Sequence, residues 1–136
     1  VGVAGKRGSV IGKKAQLAME VVPGSKVLTG STRRKAGPCQ KLILNMISTA
    51  TMVGCGKAYQ NLMVDVVQTN EKLVTRAQNI VMEATGVSRE TAKEKILEAG
   101  GSCKKAIVMI LANCDAEAAG KRLDQAKGHV REAIRE

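Results

Sequence analysis

From Thr69 to the end of the chain the apolar residues return every three or four positions. Leu73, Ala77, Ile80, Val81 and Ala84 form one such stripe, closed by Gly86, and the spacing places them on one face of a helix. Ser88 is placed to cap a second helix carrying Ala92, Ile96 and Leu97, which the Gly100–Gly101 pair stops. Ser102 is placed to cap a third, with Ala106, Ile107, Ile110, Leu111 and Cys114. The reason is chemical. A Ser or Asp oxygen accepts from a first-turn amide that has no carbonyl partner, and a Gly past the last turn can take the left-handed backbone that ends a helix. Asp115 opens a fourth helix by the same logic, with Ala119, Leu123, Ala126, Val130 and Ile134 on a face suited to docking on another surface.

Before Thr69 the pattern differs. Val1–Ala4 and Ala18–Val22 are short apolar runs of the kind that form buried strands, separated by GKRGSVIG and one helical turn over Lys13–Leu17. Parallel strands covered on both faces need sheet neighbours and crossover helices that these residues do not supply, so the chain is expected to be the C-terminal portion of something longer. Pro38 suits the first position of a helix through QKLILNMISTATMV. Leu42, Ile43, Met46, Ile47, Ala50 and Val53 leave nearly all its faces apolar, which predicts a central helix, ended by Gly54 and Gly56. YQNLMVDVVQ reads as an extended or irregular connection. The expected organisation is mostly α with a small α/β remnant, divided into residues 1–68 and 69–136.

Composition narrows this further. A chain of 136 residues can bury roughly two-thirds of its unfolded surface and fold without staples. Phe and Trp are absent and Tyr59 is the only aromatic, which favours helices packed through aliphatics over a β-sandwich. Cys39, Cys55, Cys103 and Cys114 show no CxxC spacing, and with a single His the expectation is reduced core thiols and no metal site. No secretory signal opens the chain and no apolar run approaches about 18 residues, so a soluble cytoplasmic protein without a membrane partner is expected.

Charge is unevenly spread. The net charge is +10; residues 1–68 carry ten Lys or Arg against two acids, and residues 69–136 carry twelve against ten. A basic half can serve nucleic acid, but binders of single strands stack bases on aromatic rings and this half has one Tyr. A small phosphorylated ligand fits better. The stretch LTGSTRRKAGPCQKLILN gathers the hydroxyls of Ser31 and Thr32, the cations Arg33, Arg34 and Lys35, and the permissive backbone of Gly30 just ahead of a helix. Amides, hydroxyls and Arg forks at a positive helix end suit a phosphate ester. Spacing alone leaves open a solvated basic loop in which Ser31 or Thr32 makes a turn.

The runs VLTGSTRRKAGPCQKLILNMIST and GKAYQNLMVDVVQTNEKL resemble the N-acetylmuramic acid 6-phosphate etherase family, a relative of the glucokinase regulatory protein among the sugar isomerase (SIS) proteins. The resemblance implies the end of a SIS-type α/β sandwich followed by a C-terminal bundle of three to four helices. ATGVSRETAKEKILEAGGSCKKAIVMIL itself resembles ubiquitin-associated (UBA)-like bundles, which in such a protein implies a packing or dimerisation module. The family resemblance further implies a cytoplasmic, metal-free and cofactor-free homodimeric lyase of cell-wall recycling. It removes D-lactate from N-acetylmuramic acid 6-phosphate by elimination across C2–C3 and addition of water, using two carboxyl groups of different proton affinity.

Those catalytic carboxylates are expected upstream, so no catalytic residue is assigned here, and Glu20, the only acid before the loop, matches the family's strand. Gly30, Ser31, Thr32, Arg33 and Lys35 match the substrate-binding run. Asn61, Asp65, Asn70 and Lys72 match the second motif, although Asn70 can equally cap a helix and Asp65 satisfy local donors. His129 is expected at the surface. The chain departs from the family at Lys26, where a carboxylate is usual, at Arg34, which replaces an apolar residue, and at Pro38 and Cys39, which replace a small pair. A non-catalytic phosphosugar sensor is the alternative these departures keep open.

Overall fold

The computed structural model describes residues 1–25, 28 and 33–135. They fall into two compact units, Val1–Ala50 and Thr51–Glu136.

In the first unit, β1 (Gly2–Ala4) leads through α1 (Val10–Lys14) to β2 (Ala18–Glu20). The two strands are parallel, with Gly2 opposite Ala18 and Ala4 opposite Glu20. The Ser9 hydroxyl caps α1 by accepting from the Gly12 amide at 2.9 Å. Helix α2 (Arg33–Gly54) follows; it is the longest element of the chain's described residues, and its residues up to Ala50 belong to this unit.

Pro38 lies inside α2 and not at its first position. Helical backbone begins five residues earlier than the proline suggests. Pro38 therefore costs the helix the bond to the Arg34 carbonyl, a defect tolerable only close to the N-terminus, where the preceding turn is least constrained. The apolar positions of α2 are open: Leu42, Leu44 and Met46 are more than half exposed. Among the described residues before Thr51, only Gly2 and Ser9 are buried.

The second unit opens with a hairpin, β3 (Ala58–Tyr59) and β4 (Leu62–Met63). The strands are antiparallel, with Tyr59 opposite Leu62, and Gln60 takes a positive φ of 55° in the two-residue turn. Leu62, Val64 and Val66 are buried while Met63 and Val67 are exposed, the period-two alternation of an extended chain lying on a core.

Helices α3 (Glu71–Thr85), α4 (Arg89–Glu98), α5 (Cys103–Leu111), α6 (Ala116–Gln125) and α7 (Val130–Ala133) complete the unit. Four polar residues cap them as expected. Asn70 Oδ1 accepts from Leu73 N at 2.9 Å, Ser88 Oγ from Thr91 N at 3.3 Å, Ser102 Oγ from Lys105 N at 3.3 Å and Asp115 Oδ1 from Ala118 N at 2.7 Å. Gly86 ends α3 at φ 76°. Helix α5 packs against α3, α4, α6 and α7, and its Cys103, Ala106, Ile107, Val108 and Met109 are all buried.

Two expectations are corrected here. Leu97 is 69% exposed, because a ten-residue helix lying on the core through Ala92 and Ile96 turns the next position outward. The single fourth helix is two. Lys127 and Gly128 both take positive φ, 51° and 81°, and the Gly128 amide closes on the Leu123 carbonyl at 2.7 Å. That turn re-aims the chain so that Val130 and Ala133 of α7 reach the core on their own account.

Candidate functional site

Strands β1 and β2 run in the same direction, so residues 5–9 and 21–25 leave the same edge of the sheet. In open parallel sheets ligands sit at this carboxyl edge. Val21 extends the pairing by donating its amide to the Ala4 carbonyl at 2.9 Å. Ala4, Gly5, Val21, Pro23, Ala36 and Cys39 help line one small cavity of about 10 Å³, which sets the first turns of α2 beside the end of β1.

Lys35 stands in the first turn of α2, and its ammonium donates to the Ser25 carbonyl. The residue expected to face substrate thus also ties the base of the loop between β2 and α2. Gly30, Ser31 and Thr32 lie outside the described residues, as do Lys26 and the side chain of Arg33. Arg34 is exposed.

Glu20 was legible only as a strand residue, and its role at this edge was missed. Its carboxylate accepts from Gly8 N at 2.8 Å, Ser9 N at 2.9 Å and Ser9 Oγ at 2.9 Å. The Gly8 amide, then the Ser9 hydroxyl and amide, hold its proton affinity below the ordinary carboxylate range, partial burial opposes them, and the Arg7 charge adds a little. Gly12 leaves room for it, because a Cβ there would collide with the same carboxylate and crowd the Ser9 hydroxyl, so a larger residue would displace the Glu20 side chain from this position. The available signal was that Glu20 is the only acid in the first fifty residues, so any charged lock in this unit had to use it.

The second motif is spent largely on structure. Asp65 lies between Lys104 at 3.4 Å and Lys57 at 3.7 Å, and Asn70 caps α3. Asn61, in the hairpin turn, and Lys72 are exposed. All four cysteines are free, but only Cys103 is a buried core thiol; Cys55 is exposed. Burial pushes the Cys103 thiol up, with the Asp65 charge adding to it.

His129 is partly exposed, and its Nε2 lies 3.1 Å from the Gly54 carbonyl. Larger grooves belong to the helical unit: one of about 680 Å³ along Lys95, Met109 and Asp115, and one of about 440 Å³ along Arg122, Lys127 and Glu132. None of the expected substrate residues lines either. Among the described residues no group of three or more His, Cys, Asp or Glu side chains is placed to hold a metal ion, and no helix is long and apolar enough to cross a membrane.

Comparison with known proteins decides the ancestry. The chain is 53% identical over 131 residues to an N-acetylmuramic acid 6-phosphate etherase of Oceanobacillus iheyensis, which covers 96% of the chain and 45% of that relative. It is 55% identical over 132 residues to the etherase of Geobacillus thermodenitrificans, covering 97% of the chain and 45% of the relative. The corresponding protein of an Exiguobacterium strain is 56% identical over 128 residues, 94% of the chain and 44% of the relative. The chain is homologous to the N-acetylmuramic acid 6-phosphate etherases. It spans a little under half the length of these etherase relatives. Residues 60–102, from the hairpin turn to the cap of α5, also match a family model described as the C-terminal lid domain of glucokinase regulatory protein.

Proposed function

We propose that the chain is the C-terminal portion of a carbon–oxygen lyase that cleaves the D-lactyl ether of N-acetylmuramic acid 6-phosphate, leaving N-acetylglucosamine 6-phosphate and D-lactate in the recycling of cell-wall sugars. The observation that carries this reading is identity of 53–56% with proteins of that name across nearly the whole chain. The match to a C-terminal lid domain supports the placement within the longer protein.

In this reading one carboxylate removes the C2 proton while another protonates the departing ether oxygen, and water then adds across the new double bond. Both carboxylates lie outside these residues, so the chain alone binds but does not turn over. Gly30, Ser31, Thr32, Arg33 and Lys35 form the wall that meets the phosphate ester. Residues 1–68 close a SIS-type domain, and residues 69–136 form a UBA-like packing and dimerisation module to which the hairpin lends core side chains. The whole protein works in the cytoplasm as a homodimer, without cofactor, metal, membrane or nucleic-acid partner.

An amide chemical-shift titration with N-acetylmuramic acid 6-phosphate, with inorganic phosphate as control, tests the wall. Saturable shifts in Gly30–Lys35 seen only with the sugar ester are expected. Absence of any shift would reduce the reading to ancestry. Lactate release above background from the pure chain would overturn the missing carboxylates. A second reading, a non-catalytic phosphosugar-binding regulatory module, draws on the lid-domain match and on Lys26, and predicts binding without turnover even when the rest of the protein is present.

A further inference from the structure

We propose that the groove where α6 turns into α7, lined in part by Arg122, Lys127 and Arg135, is a binding site for a phosphate dianion, free or borne by a small ester. None of its residues belongs to the wall assigned above to substrate, so the site goes beyond that reading and is tested apart from it.

Charge singles out this groove. Residues 69–136 carry twelve Lys or Arg against ten acids. The groove takes three of those cations and one acid, Glu132, which leaves the rest of the stretch balanced at nine against nine. The whole positive excess of the helical stretch therefore lies around one concave surface. Cations gathered in this way repel one another, and an anion among them relieves the repulsion while gaining charge-assisted hydrogen bonds.

The cations are also held in place. Arg122 of α6 is half-buried, and its Nη1 donates to the Ala133 carbonyl of α7 at 3.5 Å, so the guanidinium spans the two helices with its remaining N–H groups unspent among the described residues. Lys127 sits in the left-handed turn at φ 51°. Three amide bonds fix that turn, from Lys127 to the Asp124 carbonyl, Gly128 to Leu123 and His129 to Ala126, at 3.1, 2.7 and 3.0 Å. Among the described residues the Lys127 ammonium makes no ion pair. Glu132 is engaged by Arg135, whose Nη1 lies 3.6 Å from its Oε1, and so does not neutralise the other two cations. At about 440 Å³ the groove falls in the range of small-molecule sites, roughly 300–1,000 Å³. Guanidinium forks match pairs of phosphate oxygens, and the Gln125 amide, which also lines the groove, can meet a hydroxyl of an ester.

The experiment follows amide chemical shifts of the full chain during titration with glucose 6-phosphate, with inorganic phosphate, and with glucose as the uncharged control. Saturable shifts over Arg122–His129 are expected with both phosphates and none with glucose. Tighter binding of the ester names a phosphate ester as the occupant, and equal binding names the free ion; either supports the site. Lys127→Gln/Arg135→Gln should weaken binding at these amides by about tenfold, the scale of one charge-assisted contact. Lys93→Gln/Lys121→Gln removes the same charge from exposed positions outside the groove and should leave binding within about twofold. Unchanged Val130 and Ala133 amides report that α7 stays docked. Equal weakening by the two double variants would assign the effect to the general field and overturn the inference. Shifts confined to Gly30–Lys35, or no shifts at all, would overturn it as well, as would binding of a hexaglutamate peptide but of neither phosphate, which would make the groove a docking surface for acidic protein segments.

Discussion

The two units solve the burial problem to different degrees. Among the described residues every buried apolar side chain, from Tyr59 to Ala133, belongs to the second unit. The first unit carries nine Lys or Arg against a single acid, holds its strands and short helix by hydrogen bonds and one carboxylate lock, and leaves Leu42, Leu44 and Met46 open to water. Hydrophobic burial is the main favourable term in folding, so the second unit is the stable one and the first is a charged, locally ordered scaffold. The difference teaches where to look for each property: stability in the helices, and the proposed substrate contacts at the edge of the small parallel sheet.

The sharpest way to break this contrast is to cut matched apolar side chains in each unit. Ile107→Ala, at a fully buried position, should cost about 4 kcal/mol in urea unfolding through lost transfer and a residual cavity. Leu44→Ala, 60% exposed, should stay within about 0.5 kcal/mol. Similar losses would mean that α2 is covered in solution. Gly56→Ala comes next. Its φ is 69°, and an added Cβ would stand 2.5 Å from the Gly128 carbonyl oxygen, so a loss of about 3 kcal/mol is expected from strain and collision together. Gly86→Ala, with φ 76° but open space around it, should cost only about 1 kcal/mol of backbone strain.

Smaller effects refine the picture. Ser102→Ala removes the acceptor for the Lys105 amide at the head of the most buried helix and should lower stability by about 1 kcal/mol. The last prediction concerns pH. The Glu20 carboxylate is held below its ordinary proton affinity chiefly by the Gly8 amide and the Ser9 hydroxyl. A lowered carboxylate contributes stability above its unfolded value and loses it as pH falls through the folded one. The Gly8 and Ser9 amide resonances should therefore move with a midpoint below that of a free Glu, and Glu20→Gln should abolish the movement. A midpoint at the ordinary value would show that the lock is not formed.

Much of the second unit could be read from the chain because its determinants are local. Asn70, Ser88, Ser102 and Asp115 cap helices from one position away, and Gly86 ends one in the backbone that Gly adopts most freely. The split between α6 and α7 was not legible, since Lys127 adopts positive φ only as part of the turn that seats Gly128. Pro38 misled because its ring marks helix starts more often than interiors. At the candidate site, Lys35 was identified but its bond to Ser25 was not, and Glu20 gave no periodic or motif signal. Such pairings depend on which segments share a sheet edge, and that is decided by topology and not by spacing along the chain.

The meeting of Gly56 with Gly128, and of the His129 ring with the Gly54 carbonyl, has a consequence for how the second unit could be rewired. Its first and last segments touch although the bonded residues are 75 apart in sequence. Closing a loop of that length has an entropy cost on the order of 4 kcal/mol in the ideal-chain limit, while the neighbouring helices dock through short connections, so this junction should form late. A unit whose first and last segments come together is also a natural candidate for circular permutation: a linker running from beyond α7 back to the residues near Gly54 would keep Val130 and Ala133 in the core, and new termini could be opened at the exposed Gly100–Gly101 turn, leaving the helical core continuous in space though reordered in sequence.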